Sequence, residues 1–391
     1  MKKLLFAIYG FSFFNKFLLL APVYAIFMQQ NGLTDLQLST MFMMMSVATI
    51  LGQVPITYLT NHLGQRNAMI LGQLLKMSAV LLWLYVPVYT GFLVGMFLWG
   101  LQLGFRSVSF EGLMYDSVAA YRRAAEYPRI LGRKFTAESA GVILSASGSL
   151  LMVRGYDWVT WMSVLSILVS IACLLMIRNR PGRRAKCIQK TQFRKLFRTG
   201  LRLWRRTPCL PSVMILTLLV ANVPYLEDYF SPIALQIGIP MKYVGIMSFF
   251  MLMCATLGQR FAYKLNRLPD WFLYSLIAVT GVGYIVFGNI YTVNALWILG
   301  IAYMISYGVD TLLYARFQQL IPSHYRSVIL SLFTTFTHIV YIIVSGIIGF
   351  GATLGSWRFS IIILGALMIC VCIWALTLVC PRCVLDSRSR K

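Results

Sequence analysis

Charged side chains are scarce in this sequence, and acidic ones are especially rare. Of 391 residues, 12% are charged and 59% are apolar, and 11 acids stand against 35 lysines and arginines. Soluble domains carry about a quarter charged residues, so this composition excludes an ordinary soluble protein and predicts an integral membrane protein. The net charge of +24 does not indicate a nucleic-acid partner, because the basic residues lie in short loops between apolar runs.

The sequence also lacks the motifs that would support an enzyme or a metalloprotein. We find no glycine-rich phosphate loop, no zinc-ligand spacing and no arrangement of nucleophile and base. The eight cysteines show no disulfide framework. The C-x-x-C of Cys380 and Cys383 lies in a tail that we expect to be cytoplasmic, where thiols stay reduced. We therefore expect no enzyme activity, no cofactor and no metal.

Long apolar runs are what the sequence has instead, and twelve of them approach the ~20 residues needed to cross a bilayer. Numbered as spans 1 to 12, they cover residues 4–29, 36–60, 68–88, 92–116, 135–153, 158–177, 211–231, 241–262, 271–289, 294–318, 327–350 and 358–379. The predicted fold is all-α, with twelve transmembrane helices. A basic polar stretch at 178–210 predicts a linker between six-helix bundles at 1–177 and 211–391.

The distribution of basic residues predicts the orientation. With both termini in the cytoplasm, 29 of the 35 lysines and arginines lie in inside segments and three lie in outside loops. Positive charge is enriched on the cytoplasmic side of membrane proteins, so both termini are predicted to be cytoplasmic. The linker motif FRKLFRTGLRLWRR suggests either a helix on an anionic inner leaflet or a solvated basic segment.

An acid followed four residues later by a tyrosine occurs at corresponding places in the two halves. Span 4 contains EGLMY and span 10 contains DTLLY, so that Glu111 aligns with Asp310 and Tyr115 with Tyr314. Matching functional positions in two six-helix halves are typical of transporters built from repeats.

Loop motifs carry a resemblance to a known family. The loop after span 2, TYLTNHLGQRNAMILG, resembles the loop 2–3 signature G-x-x-x-D-R-x-G-R-[RK] of the major facilitator superfamily; Gly64 and Arg66 match, whereas Asn61 replaces the aspartate. GQVPIT before it and YDSVAAYRRAAEYPRILGRKF after span 4 resemble one bacterial branch. LIPSHYRSVILS resembles the equivalent loop of the second half.

The resemblance implies alternating access around a cavity lined mainly by spans 1, 4, 7 and 10. It also implies a multi-pass monomer in a bacterial inner membrane. The antiporter signature G-P-x-x-G-G is missing from span 5, which reads ESAGVILSASGSLL. Proton-driven drug efflux therefore does not follow from the resemblance alone.

The resemblance further implies a cytoplasmic latch. An acid at the end of span 4 pairs in this family with the loop 2–3 arginine when the protein opens outward. The gating residues are then Asn61, Gly64, Arg66, Asp116, Arg129 and Arg133. Because Asn61 carries no charge, we expect a weak latch.

Four acids within or near the spans are candidates for proton coupling: Glu111, Glu227, Asp228 and Asp310. A buried carboxylate can take up a proton near neutral pH, and an ionisable residue in a membrane span is by default functional. Glu111 could instead pair with Arg106, although five residues place the two on different faces of a helix. Glu227 and Asp228 follow a proline that opens span 7 and could equally be hydrated at the outer mouth.

Cations and tyrosines supply the candidate substrate-binding residues, which are Lys16, Gln102, Arg106, Tyr225, Tyr303, Tyr307 and His338. A charge at the bilayer centre costs about 2.5–3.5 kcal/mol, so cations in spans 1 and 4 suggest a bound anion or, equally, internal pairing with acids. Lys16 shares a helical face with Tyr9 and Tyr24. The tyrosines suit an amphipathic solute or simply pack, and His338 either shuttles protons or packs. Lys76 in span 3 is expected to pack or snorkel.

We therefore hypothesise a secondary transporter that moves a small amphipathic, anion-bearing solute with proton coupling. Export of a metabolite, drug or siderophore-like compound is the first choice, and uptake of a similar compound, such as a siderophore, is the alternative. A hypothesis from another class is a non-transporting membrane receptor or assembly factor on the same scaffold. The charged residues of the spans favour transport, since a scaffold has no need of them.

Overall fold

The computed structural model describes residues 1–121, 126–178, 210–265, 269–321 and 326–379. Most of the predicted linker, as well as Cys380 and Cys383, lies outside these residues. The first half contains α1 (Lys2–Lys16), α2 (Tyr24–Gln30), α3 (Asp35–Leu63), α4 (Gln65–Tyr85), α5 (Tyr89–Ala119), α6 (Tyr127–Ser145), α7 (Gly148–Leu151) and α8 (Tyr156–Leu175). The second half contains α9 (Leu210–Asn222), α10 (Phe230–Gln236), α11 (Val244–Leu265), α12 (Asp270–Ile290), α13 (Leu296–Leu320), α14 (Arg326–Thr353) and α15 (Trp357–Trp374).

The structure confirms the all-α membrane fold. Within the described residues, ten helical segments are long and apolar enough to cross a membrane, and they correspond to every predicted span except 1 and 5. Span 1 is formed by α1 and α2, and span 5 by α6 and α7. Span 5 begins at Tyr127 rather than 135, because its basic first turns resemble a loop in the sequence.

Polar residues and one glycine define the ends of α3. The Thr34 hydroxyl accepts a hydrogen bond from the Gln37 amide at 3.3 Å, and the Gln37 side chain accepts one from the Thr34 amide at 2.9 Å. This capping box satisfies two amides that the first helical turn leaves open. At the other end, Gly64 adopts a φ of 81° and alone connects α3 to α4. A positive φ favours glycine, which explains why this position of the loop motif is a glycine.

Residue contacts divide the chain into two compact units. Unit 1 comprises Met1–Cys187, Asp228–Leu235 and Ile239–Phe249, and unit 2 comprises Ile188–Glu227, Gln236–Gly238 and Phe250–Lys391. In unit 1, α5 packs against α3 and α4, while α1 packs against α6 and α8. In unit 2, α12 packs against α13 and α15, and α9 packs against α13 and α14. The boundaries predicted for the two bundles and the linker stay a prediction.

Span 1 is interrupted at residues 17–23, where the sequence predicted a continuous helix. Side chains from other helices bind the backbone groups that the interruption frees. The Lys76 ammonium of α4 donates to the Asn15 carbonyl at 2.8 Å, and the Ser163 hydroxyl of α8 accepts from the Leu20 amide at 3.0 Å. Non-helical backbone at membrane depth is tolerated only where protein or a polar cavity satisfies it.

Span 7 is interrupted in the same manner. Helix α9 ends at Asn222, and α10 begins at Phe230, which confirms that the proline at 224 opens this span. The buried Tyr284 of α12 donates its hydroxyl to the Pro224 carbonyl at 2.6 Å. Spans 1 and 7 hold the same place in the two halves, as do spans 3 and 9, which supply Lys76 and Tyr284. In each half, therefore, the first span is interrupted, and a side chain of the third span hydrogen-bonds to its backbone at the interruption.

Candidate functional site

An ion triad of Arg106, Lys134 and Glu138 lies in unit 1. The Arg106 guanidinium contacts the Glu138 carboxylate at 2.6 Å, and the Lys134 ammonium contacts the same oxygen at 3.2 Å. The side chains of these three residues are 19%, 5% and 12% exposed. Two cations on one carboxylate leave the ion triad with a formal charge of +1.

The ion triad is the feature that the sequence reasoning missed. Glu138 is not among the four acids predicted for proton coupling, and Lys134 lies just before the predicted start of span 5. The sequence offered Glu111 as a possible partner of Arg106, whereas the structure pairs Arg106 with Glu138. The signal was the K-x-x-x-E spacing of Lys134 and Glu138, which places both on one face of a helix.

Lys76 does not snorkel; it is buried and belongs to a polar network. Its ammonium donates to the carbonyl and the side-chain oxygen of Asn15, at 2.8 and 3.3 Å, and lies 5.3 Å from the centre of the Trp99 ring. Gln73 donates to Asn15 at 3.0 Å and accepts from Ser170 at 3.2 Å. Within the described residues, Lys76 has no acidic partner, so a cation-π contact and two oxygens balance its charge.

The cations of unit 1 lie close to one another. Lys16 and Arg106 are both near enough to Lys76 for their charges to repel it. Gly141 lies three residues after Glu138 on α6, and a Cβ placed on Gly141 would be 3.2 Å from the Cβ of Lys16. The backbone of Lys16 therefore packs against the helix that carries Glu138. Lys16 is the last residue of α1, so the helical face predicted to run on to Tyr24 is wrong beyond this point.

Gln102 lies one helical turn before Arg106 on α5. Its side chain is buried, with 2% exposure, and its Oε1 atom has no hydrogen-bond partner among the described residues. The hydroxyl of Tyr9, on α1, is also buried and without a partner there. Buried polar atoms without partners are rare in native structures and often mark a ligand or water position.

A tyrosine–carboxylate cluster of Tyr225, Glu227, Tyr303 and Tyr307 lies in unit 2. The Tyr307 hydroxyl donates to Glu227 Oε1 at 2.7 Å, the Tyr303 hydroxyl lies 3.4 Å from the same atom, and the Tyr225 hydroxyl donates to Oε2 at 3.2 Å. The rings of Tyr303 and Tyr307 are 4.7 Å apart. The structure thus brings together three predicted substrate-binding tyrosines and one predicted proton carrier.

His338 lies partly buried on α14, one helical turn before Tyr341. The Tyr341 ring packs against the Tyr225 ring with their centres 5.7 Å apart. His338 is therefore three residues from Tyr341, whose ring contacts the tyrosine–carboxylate cluster. Asp228 follows Glu227 in the sequence but belongs to unit 1. There it accepts a hydrogen bond from the Tyr24 hydroxyl at 2.8 Å.

The comparison with protein families agrees with this architecture. A family model described as Major Facilitator Superfamily matches residues 5–345. The chain belongs to the major facilitator superfamily. It is a multi-pass membrane protein with the fold of the superfamily's transporters.

Solved structures of superfamily transporters share the fold. The crystal structure of a D-xylose–proton symporter gives a TM-score of 0.72 at 12% identity, with 97% of each chain covered. The nucleoside transporter NupG gives 0.72 at 11% identity, covering 95% of this chain and 97% of its own. The inward-open xylose transporter XylE from E. coli gives 0.69 at 13% identity, covering 97% and 95%. No curated protein sequence matches the chain.

The repeat of the superfamily is visible around the aligned acids. Tyr115 of α5 packs against Tyr127 of the next helix, with ring centres 5.2 Å apart, and Tyr314 of α13 packs against Phe333 of the next helix at 5.5 Å. The acids differ in environment, because Glu111 is exposed and Asp310 is partly buried. Neither forms a hydrogen bond or an ion pair with a residue that the structure describes.

The structure does not form the expected latch. Arg66 donates to the Ile177 carbonyl at 3.2 Å and to the Asn67 side chain at 3.2 and 3.3 Å. Over the described part of the chain, it makes no hydrogen bond or ion pair with Asp116, which is exposed. Asn61, Arg129 and Arg133 are exposed as well. The latch stays a prediction for the outward-opening state.

Proposed function

We propose that the protein is a secondary active transporter that moves a small, amphipathic, anion-bearing solute by alternating access. The proposal adds a solute class, proton coupling and a direction to the family assignment. Export is the direction we propose, and uptake of a similar compound is the alternative. The proposed location is a bacterial inner membrane, with both termini and the basic linker on the cytoplasmic side, facing anionic lipids.

The cation cluster of unit 1 carries the proposal. Lys16, Lys76, Arg106 and Lys134 form this cluster. Arg106 and Lys134 share one acid, Glu138, and Lys76 has no ion pair with an acid within the described residues. Such an excess of positive charge in a membrane segment is costly unless an anion offsets it. Gln102, whose amide oxygen has no partner there, adds a polar group beside Arg106. A carboxylate or another anionic group on the solute meets these requirements.

Proton coupling rests on Asp310 and Glu111. Asp310 is a partly buried carboxylate in the middle of α13, without a hydrogen-bond or ion-pair partner among the described residues. An uncompensated charge in that environment is expensive, whereas a protonated carboxyl is not. Glu111 holds the matching position of the repeat but is exposed. We therefore rank Asp310 first and Glu111 second as the proton carrier.

Flux measurements on the full-length protein in proteoliposomes test the proposal. A panel of amphipathic carboxylates and iron chelators is first screened by thermal shift, and the compounds that bind are then measured under imposed pH gradients of either sign. We expect Arg106→Gln to lose binding, and Asp310→Asn or Glu111→Gln to keep binding but lose the response to the gradient. Lys242→Gln removes an exposed cation of unit 1 and serves as the control.

The direction of movement separates export from uptake. A solute that moves against the proton flow indicates export, and one that moves with it indicates uptake. If Asp310→Asn and Glu111→Gln both transport with unchanged pH dependence, the proton-coupling part is wrong. If compounds bind but none is transported, the protein is a receptor on this scaffold.

A further inference from the structure

The tyrosine–carboxylate cluster contains a carboxylate without a counter-ion. Glu227 is exposed, and it forms no ion pair with any lysine, arginine or histidine that the structure describes. Its partners are the hydroxyls of Tyr225, Tyr303 and Tyr307. Neutral donors orient a carboxylate without supplying the positive charge that an acid in a membrane segment ordinarily has.

The Glu227 carboxylate can accept a hydrogen bond from one further donor. An ionised carboxylate offers about four lone-pair sites and donates nothing, so its remaining capacity suits a donor that approaches from the open side. The side chain of Tyr303 is fully buried, and its ring packs against that of Tyr307. Tyr225 and Tyr307 are partly exposed, and because their hydroxyls contact the carboxylate, their rings border it.

We propose that Tyr225, Glu227 and Tyr307 form a subsite for an organic ammonium group. A carboxylate bordered by aromatic rings is the arrangement that recognises alkylammonium ligands, because the ring faces attract a cation and the acid neutralises it. The subsite assigns Glu227 to ligand binding instead of proton transfer. It rests on the proposed function in one respect, namely that the ligand is the transported solute. That solute then carries an ammonium group in addition to its anionic group and its apolar body.

Choline and its neutral isostere 3,3-dimethylbutan-1-ol are suitable probes, because they share a shape and differ in charge. Binding to the purified full-length protein is measured by calorimetry. We expect choline to bind about tenfold more tightly than the alcohol, and Glu227→Gln to remove that preference. Tyr307→Leu should weaken choline binding more than Tyr307→Phe, since only the first loses the ring. Asp157→Asn and Tyr243→Phe, at exposed positions of unit 1, are the matched controls.

Three results would overturn the subsite. They are equal binding of choline and the alcohol, choline binding that survives Glu227→Gln unchanged, and absence of choline binding to the wild-type protein at millimolar concentration. If Glu227→Gln instead removes the pH dependence of transport and leaves choline binding intact, Glu227 is a proton carrier. Failure of choline while amphipathic carboxylates are still bound and transported rejects this subsite and leaves the proposed function standing. Failure of both probe classes rejects both.

Discussion

Single ionisable residues in the membrane are stabilised here by neighbours that differ from one residue to the next. Arg106 and Lys134 share the carboxylate of Glu138. Lys76 relies on the oxygens of Asn15 and on the ring of Trp99. The ion triad is the more sensitive arrangement, because removal of one partner of a buried ion pair leaves an uncompensated charge.

The two sides of the ion triad should therefore respond differently to neutral substitutions. Glu138→Gln leaves two adjacent cations without an acid, and we expect a loss of about 3 kcal/mol in the free energy of unfolding. Arg106→Gln leaves the Lys134–Glu138 pair intact, and the loss should be smaller. Denaturant unfolding in lipid nanodiscs measures both, with Asp157→Asn as an exposed acidic control. Equal losses in Glu138→Gln and Asp157→Asn would show that the ion triad does not stabilise the fold.

Among the helical elements, span 1 combines an interruption with a tightly packed neighbour. A Cβ placed on Gly148 of α7 would meet the carbonyl oxygen of Leu19. A Cβ placed on Gly141 of α6 would lie 2.5 Å from the carbonyl oxygen of Phe13. A side chain at either glycine would therefore collide with the backbone of span 1. The small residues of span 5 thus permit the approach of the interrupted helix, which is a packing role.

This packing predicts a difference between two glycines of span 5. Gly148→Ala places a methyl group against the backbone of residue 19, and we expect a loss of about 1–3 kcal/mol in stability. Gly132→Ala, on α6, meets no atom within 4 Å and should be neutral or stabilise the helix by about 0.5–1 kcal/mol. Thermal unfolding of the two purified variants compares them. Similar melting temperatures for both variants would contradict the close approach.

The whole molecule has a predicted orientation that accessible positions can test. In a background without native cysteines, Asn31→Cys and Gln236→Cys should react with a membrane-impermeant maleimide from outside the cell, and Lys190→Cys only after the membrane is opened. Asn31 and Gln236 are exposed, whereas neighbouring Leu33 is 6% exposed and would label poorly in either orientation. Labelling of Lys190→Cys in intact cells would overturn the cytoplasmic assignment of the termini.

The sequence by itself determined the membrane class, the helical fold and the approximate position of each span. These properties depend on composition and on run length, and both can be read without knowing which helices touch. The acid–tyrosine repeat and the proline that interrupts span 7 were also evident, because each is a local pattern. Tyr303 and Tyr307, both named from the sequence as candidate substrate-binding residues, lie on one face of α13, since four residues make about one helical turn.

Only the tertiary structure decided which polar residues meet. In a soluble helix, the apolar face marks the core, but in a membrane helix the lipid-facing and the protein-facing sides are both apolar. The hydrophobic pattern of spans 3, 4 and 5 therefore did not indicate that Lys76 is buried or that Arg106 faces Glu138. The sequence of span 1 did not indicate its interruption either, because the interruption depends on contacts between helices. It depends on Lys76 and Ser163, side chains distant in the sequence that bind the freed backbone groups.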